Sequence, residues 1–408
     1  MRFSSVTLPE RVLAVQQPLY FAPRLAYLAS FPPRQCGIAT FTFDVMTAVE
    51  AATHQPAIAV AMNDRPERYA YDNRVAIQID RNDLSSYVAA ARKLAQMPID
   101  VINVQHEYGL FGGAWGEYLL ELYERACQPI VTTLHSVIPN PDPVLKRVTR
   151  ELAERSTKII VLANAATDIL TRDYGILRSK IHMIPHGIPT VTYPVRAHNV
   201  AKLNLGYQGR TLLSTFGLIS SNKGIEFAIR ALPDVVRAHP DVLYLIIGQT
   251  HPGVRAHEGE AYRNQLQDLV RELRLQANVE FVDRYLSLPQ LMEYLLATDA
   301  YVIPYLNPTQ IVSGTLAYAM GSGKAVISTP FIHAREVLAN GNGVLVPFKD
   351  SPAMTHAINN LLDHPTVRHE MEQRAFAFSR SWTWPAVAEQ YVNVYEEVAQ
   401  RDIPVSVF

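Results

Sequence analysis

Arg34-Gln35-Cys36-Gly37-Ile38-Ala39-Thr40-Phe41 follows an apolar segment, Leu25–Ser30, and leads into a helix-like stretch from about Phe43 to Ala52. Strand, glycine turn, helix is the layout that aims backbone N–H groups at an anion or a polar substrate. A glycine in such a turn also serves purely steric ends. The reading gains weight because a second turn of the same kind, Ser220-Ser221-Asn222-Lys223-Gly224, stands halfway along the chain and carries a lysine.

Working outward from these turns, short β-rich runs alternate with helical patterns. In the first half the runs are Leu25–Ser30, Ala57–Met62, Val75–Ile79, Val101–His106, Ile130–His135, Lys158–Leu162 and His182–Pro185. In the second half they are Thr211–Leu218, Val242–Gly248, Val279–Val282, Ala300–Pro304, Ala325–Ser328 and Gly343–Pro347. Nearly all are continuously apolar, as strands covered on both faces are. The alternation predicts an α/β protein with two doubly wound, mostly parallel sheets. Residues 20–195 form the first domain and 205–384 the second. Thr190–Gly209, which lacks a clear period, is the linker, and a helix over 385–403 crosses back to the first domain. In that helix Val387, Tyr391, Val394, Tyr395 and Val398 fall at helical spacing.

A chain of 408 residues suits two cores rather than one. With 37 basic and 38 acidic residues, no global field favours nucleic acid or an anionic membrane, so an anionic ligand must be held locally. Two cysteines, Cys36 and Cys127, cannot form a metal cluster alone. A disulfide between them does not suit a cytosolic α/β protein, and Cys36 reads as a packing residue rather than a nucleophile. No apolar run approaches the roughly eighteen residues of a membrane span, and no signal-peptide layout is present. The expectation is a cytoplasmic protein, with peripheral membrane contact left open.

Doubly wound sheets bind ligands beyond the carboxyl ends of their strands, so the residues following each strand are the candidates. They are Gly37; His106 and Glu107; His135 and Ser136; His186; Lys223; Gly248 to Gly253 with His251; Arg284; and Asn307, Gln310 and Ser313. Each has a plainer alternative. His106 and His135 could be strand-end histidines satisfied by backbone, and Glu107 could be a solvated acid. Ser313-Gly314-Thr315 could be only a helix cap, although a cap and an anion site use the same orphan amides. Lys223 in a first helical turn opposes the helix dipole unless an anion sits there too. The nicotinamide fingerprint, the Gly-x-x-x-x-Gly-Lys-Ser/Thr loop, the Gly-x-Ser-x-Gly elbow and zinc spacings are all missing.

Together these motifs resemble the family 4 retaining glycosyltransferases of GT-B fold, from about Leu25 to Glu397. The Gly37 loop, His135-Ser136, Pro185-His186-Gly187-Ile188, Lys223-Gly224, Gln310–Gly323, Gly343–Pro347 and the tryptophan-bearing last helix fall in family order. The resemblance implies two facing domains, with a nucleotide-sugar donor held mainly by the second. It also implies a carbohydrate or other hydroxyl acceptor, hexosyl transfer with retention, no resident cofactor and no divalent metal. Lys223 and Arg284 would neutralise the donor phosphates, and Gly37, Gly248 and the Ser313, Gly314 and Thr315 amides would approach them. His135 and Gln310 would face the transferred sugar, with His106, Glu107, His186 and Asn307 on the sugar or acceptor side.

Three positions depart from the family: Leu218 stands where it carries an arginine, and Gln310 and Tyr318 stand where it carries two glutamates. These changes also suit a glycoside phosphorylase using phosphate or a sugar 1-phosphate, the alternative activity. A non-catalytic sugar or nucleotide sensor is the third reading.

Overall fold

The computed structural model describes residues 22–65, 69–191 and 197–400. Seven strands build the first sheet: β1 (Leu25–Ala29), β2 (Ile58–Asn63), β3 (Val75–Asp80), β4 (Val101–His106), β5 (Ile130–Leu134), β6 (Lys158–Val161) and β7 (Ile181–Met183). Six build the second: β8 (Thr211–Phe216), β9 (Val242–Ile247), β10 (Val279–Val282), β11 (Ala300–Ile303), β12 (Ala325–Ser328) and β13 (Val344–Leu345). The orders are β3-β2-β1-β4-β5-β6-β7 and β10-β9-β8-β11-β12-β13. Every strand pair is parallel. Helices cover both faces, so β1, β4, β5, β6 and β9 are buried along their whole length. This is the two-domain, Rossmann-like GT-B architecture.

Strand order reverses between β1 and β4 in the first sheet and between β8 and β11 in the second. At a reversal the crossovers leave on opposite faces, and the chain opens a crevice beyond the strand ends. The loops after β1, β4, β8 and β11 therefore define where a ligand can enter, and the two crevices face each other.

The linker segment differs from its reading as irregular chain. Ala197–Leu205 is a helix, and Pro194 lies outside the described residues. Its apolar residues form no single stripe: Val200 and Leu203 are exposed while Ala201 is buried. Charge anchors it instead, with Lys202 Nζ 2.6 Å from Asp299 Oδ2 and His198 Nε2 3.2 Å from Asp299 Oδ1. That explains why hydrophobic periodicity missed it.

The last helix, Trp384–Gln400, returns to the first sheet, and residues 401–403 lie outside the described part. Val387, Tyr391, Val394, Tyr395 and Val398 pack with Phe41, Val45 and Val49 of the first helix, Gly37–Thr53. Full burial of each such side chain contributes about 1.5–3 kcal/mol. The two crossings between domains are tied together: the Ile188 amide donates to the Trp382 carbonyl at 2.8 Å and the Trp384 amide to the Ile188 carbonyl at 2.9 Å.

Candidate active site

The loops at the two reversals line one cleft of about 990 Å³ between the domains. Of the residues expected from sequence, Gly37, Glu107, His135, His186, Lys223, Gly248, Arg284, Asn307, Gln310, Gly314 and Thr315 line it. Ser313 and His106 do not.

On the second-domain wall, Lys223 closes a short 3-10 turn, Ser221–Lys223, after β8. Gly224 takes φ +61°, and a Cβ there would lie 2.2 Å from the Pro304 carbonyl oxygen. Only glycine lets this turn pass so close to the end of β11. The Lys223 ammonium rests 3.8 Å above the centroid of the Tyr305 ring. Lys223 forms no ion pair among the described residues, so its charge faces the cleft uncompensated. The Tyr305 hydroxyl lies 2.9 Å from Thr315 Oγ1, tying the lysine's platform to the start of the helix Gly314–Gly321.

That helix start is capped. Ser313 Oγ accepts from the Leu316 amide at 3.3 Å, and the Ser313 amide donates to His333 Nδ1 at 3.0 Å. The expectation that the Ser313 amide meets a phosphate is therefore corrected, because that donor is spent on an imidazole. The Gly314 and Thr315 amides make no hydrogen bond among the described residues and stand at the positive end of the helix dipole. A Cβ on Gly314 would come 2.7 Å from His186 Nε2, so the missing side chain lets that imidazole approach the helix end.

The first-domain wall is built on β1, β4 and β5. His135 Nε2 lies 2.8 Å from Gln105 Oε1, and Gln105 Nε2 donates to Asn103 Oδ1 at 2.5 Å. An amide oxygen only accepts, so His135 carries its proton on Nε2 and leaves Nδ1 as an acceptor. Burial, with His186 and His106 nearby, pulls its pKa down to about 3, so the ring is neutral. The Phe41 ring packs edge-on against His135 at 4.7 Å and His186 at 4.9 Å. His186 donates from Nδ1 to the Gly187 carbonyl at 2.8 Å and is held neutral chiefly by burial. Glu107 accepts from Ser136 Oγ at 2.5 Å and from the Tyr108 amide at 3.1 Å. Burial raises its pKa despite both bonds, a setting for a carboxyl that exchanges a hydrogen bond with a hydroxyl.

His106 is corrected outright as a sugar or acceptor contact. It is the last residue of β4, fully buried behind the cleft, stacked on Phe111 at 5.5 Å and edge-on to Tyr108 at 5.0 Å. Period-two alternation turned its side chain into the core, whereas Glu107, one residue on, faces the opening.

The remaining expected residues form the rim. Gln310 donates from Nε2 to the Val312 carbonyl at 3.0 Å, and Asn307 Oδ1 accepts from the Thr309 amide at 3.0 Å, so both shape the loop as well as line the cleft. Arg284 donates to the Tyr294 hydroxyl at 3.1 Å. Residues that sequence reading did not single out for the site are Arg34 on the first-domain wall, Tyr305 beneath Lys223 and His333 behind Ser313. Arg34 sits inside the deciding stretch itself, but arginine in a loop carries no distinctive signal. Tyr318 lines the cleft and also meets the first domain: its hydroxyl donates to Asp44 Oδ2 at 3.3 Å.

Residues 36–191 match the model of Glycosyltransferase Family 4, and residues 210–364 match that of Glycosyl transferases group 1. Between them the two models take in most of both domains. This chain belongs to the family 4 glycosyltransferases. The transferase is 29% identical over 286 residues to a phosphatidyl-myo-inositol mannosyltransferase of Mycolicibacterium smegmatis, covering 68% of each chain. It is 25% identical over 332 residues to a D-inositol 3-phosphate glycosyltransferase of Corynebacterium diphtheriae, covering 76% of this chain and 74% of that one. Among solved structures, Anabaena HepE in complex with UDP and glucose superposes with a TM-score of 0.73 at 17% identity, covering 92% of this chain and 100% of that one. Sucrose-phosphate synthase of Thermosynechococcus elongatus gives 0.73 at 19% identity, over 93% of this chain and 100% of that one.

One contact of the transferase holds the lobes together away from the cleft. Glu336, from the second domain, accepts from the Asn164 amide at 2.8 Å and the Ala165 amide at 3.0 Å. These are the first amides of the helix Asn164–Tyr174, whose own cap residue, Ala163, offers no side-chain acceptor. Glu336 thus supplies an N-cap across the domain boundary. Glu336→Ala is expected to remove about 1 kcal/mol of preference for this closed arrangement. It should appear as a larger radius of gyration in small-angle scattering without ligand; an unchanged radius would show that the contact does not hold the lobes.

Proposed function

We propose that this transferase moves a hexose from a nucleotide-diphosphate sugar to a hydroxyl acceptor, with retention at the anomeric carbon and without a divalent metal. The observation that carries the reading is the Lys223 ammonium and the Gly314 and Thr315 amides, none of them paired among the described residues, facing the N-terminus of Gly37–Thr53 across the cleft. Cation and aligned dipoles on one wall, with a second helix start opposite, suit a leaving group whose negative charge grows as its bond to C1 breaks.

In this reading the C1–oxygen bond to the phosphate breaks first, giving an oxocarbenium-like sugar and a phosphate anion held by Lys223, Arg284 and the helix amides. The acceptor oxygen then bonds to C1 on the face the phosphate left, and its proton passes to the departing phosphate oxygen. The neutral His135 presents an acceptor nitrogen to a sugar hydroxyl, and Gln310 lies within the same cleft as a second hydrogen-bonding group. Glu107 and Ser136 lie on the side where the acceptor would enter. The relatives' names support glycosyl transfer, and the HepE complexes with UDP support a nucleotide-sugar donor. Leu218 and Tyr318 lack the charges that the family places there, so a sugar 1-phosphate donor is the reading to be separated.

The test is turnover with a panel of UDP-, GDP- and ADP-hexoses and of hexose 1-phosphates, with and without EDTA, reading the product's anomeric proton by NMR. The expected result is an α-linked product from one nucleotide sugar with an α-anomeric donor, undiminished by EDTA. Turnover from hexose 1-phosphates alone, or an inverted product, would overturn the reading.

A further inference from the structure

The phosphate side of the cleft lacks a cation at one place on its second-domain wall. Leu218, directly after Gly217 at the end of β8, is a half-buried apolar side chain lining the cleft close to Lys223. An apolar side chain offers nothing to a phosphate, yet the opposite wall holds an arginine. Arg34 lies in the loop after β1, three residues before the helix Gly37–Thr53, and lines the same cleft. Its side chain is 14% exposed, and its guanidinium is held by Asp64 at 3.0 Å and by the Met62 carbonyl at 3.4 Å. Asp64 in turn accepts from the Tyr69 hydroxyl at 2.9 Å. Among the described residues these two contacts leave several of the five guanidinium N–H donors unspent in a pre-set orientation.

A third polar group lines the same cleft. His251, in the loop after β9, accepts from the Gly253 amide on Nδ1 at 3.1 Å, so its proton is on Nε2. Burial lowers its pKa first, and Lys223 and Arg34 lower it further, from opposite lobes. His251 lines the same cleft as Lys223 and Arg34, with its Nε2–H available as a donor.

We propose that Arg34 is a further phosphate-binding cation of this transferase beside Lys223 and Arg284, supplied from the first-domain wall in place of the side chain missing at Leu218, with the His251 Nε2–H as a donor beside it. The proposal rests on the nucleotide-sugar reading and deepens it. With cations on both lobes, the phosphate site is complete only when the lobes face each other. Leaving-group stabilisation is thereby tied to closure, which also excludes water from the sugar.

Calorimetry with inorganic pyrophosphate, and turnover of the nucleotide sugar that the panel identifies, test this on the full chain. Arg34→Gln is expected to weaken pyrophosphate binding at least tenfold and to lower kcat/KM by a similar factor. Leu218→Arg introduced into Arg34→Gln is expected to recover most of the pyrophosphate affinity, because it returns a cation to the opposite wall. Because Arg34→Gln also removes the Asp64 ion pair, Arg34→Lys is the second variant: it keeps the charge but not the fork, and should weaken pyrophosphate at least threefold. Pyrophosphate binding that needs Lys223 but is unchanged in whichever Arg34 variant folds overturns this proposal alone. A wild-type chain that binds neither pyrophosphate nor any nucleotide sugar overturns the underlying reading, and this proposal with it.

Discussion

Lys223→Ala is expected to lower kcat/KM by about 10²–10³ while leaving the protein folded, the range seen when one preorganised stabiliser of transition-state charge is removed. Three features set this magnitude. Lys223 forms no ion pair among the described residues, so none of its charge is spent before a ligand arrives. Its ammonium is fixed over the Tyr305 ring at 3.8 Å, so little reorganisation is needed when the phosphate departs. Its neighbours across Tyr305 and Thr315 are the free amides of Gly314 and Thr315, which act on the same developing charge. The folded state loses one half-buried cation–π contact, on the order of 1 kcal/mol. Steady-state kinetics and thermal melting of the same preparation check both halves. A loss below tenfold, or a loss explained by unfolding, would remove Lys223 from the leaving-group site. Gly224→Ala should be the more damaging change to the fold, because it forces a left-handed residue against the Pro304 carbonyl rather than removing a charge.

Most of the fold could be read in the chain because parallel strands covered on both faces write themselves as apolar runs. Val101–His106, Val279–Val282 and Ala325–Ser328 coincide with β4, β10 and β12, and the other strands differ by a residue or more at their ends. Helix starts were less legible. The first helix begins at Gly37 itself, six residues before the expected start, because Cys36 caps it by accepting from the Ala39 amide through sulfur. The helical pattern of Gly116–Ala126 becomes a helix only from Leu119, since Gly113, Trp115 and Gly116 all take positive φ. In the cleft, residues in glycine turns were visible because turn chemistry is local. Arg34, Tyr305 and His333 were not, since their parts depend on which strands become neighbours. Strand order decides that, and sequence spacing does not report it.

Acid should destabilise this protein steeply below pH 6.5, and three buried histidines set the slope. His106, His135 and His333 are 0%, 6% and 3% exposed, and burial pulls each pKa to about 3. Their unfolded values are near 6.5, so the unfolded chain takes up protons that the folded chain refuses. The stability they contribute is complete above pH 6.5 and is lost as pH falls toward 3. Each costs about 1.4 kcal/mol per pH unit in that window, up to about 4 kcal/mol for the three at pH 5.5. Asp44 works the other way: burial raises its carboxyl to about 6, so protonation relieves the folded state as pH falls through that value. Burial raises Glu107 likewise, but the histidines lose more between pH 6.5 and 5.5 than these two carboxyls regain. Denaturant titrations at half-unit steps from pH 7.5 to 5 measure the slope.

His106→Phe isolates one histidine. Both ring nitrogens of His106 are buried without a hydrogen-bond partner among the described residues, an arrangement that costs about 1–3 kcal/mol, and the ring already packs among aromatics. The variant is expected to match or exceed the parent's stability at pH 7, to lose about a third of the acid slope, and to keep its transfer rate, since His106 does not reach the cleft. An unchanged slope would mean that this imidazole is not held neutral by burial. A lost rate would return it to the acceptor side, against its place behind the cleft.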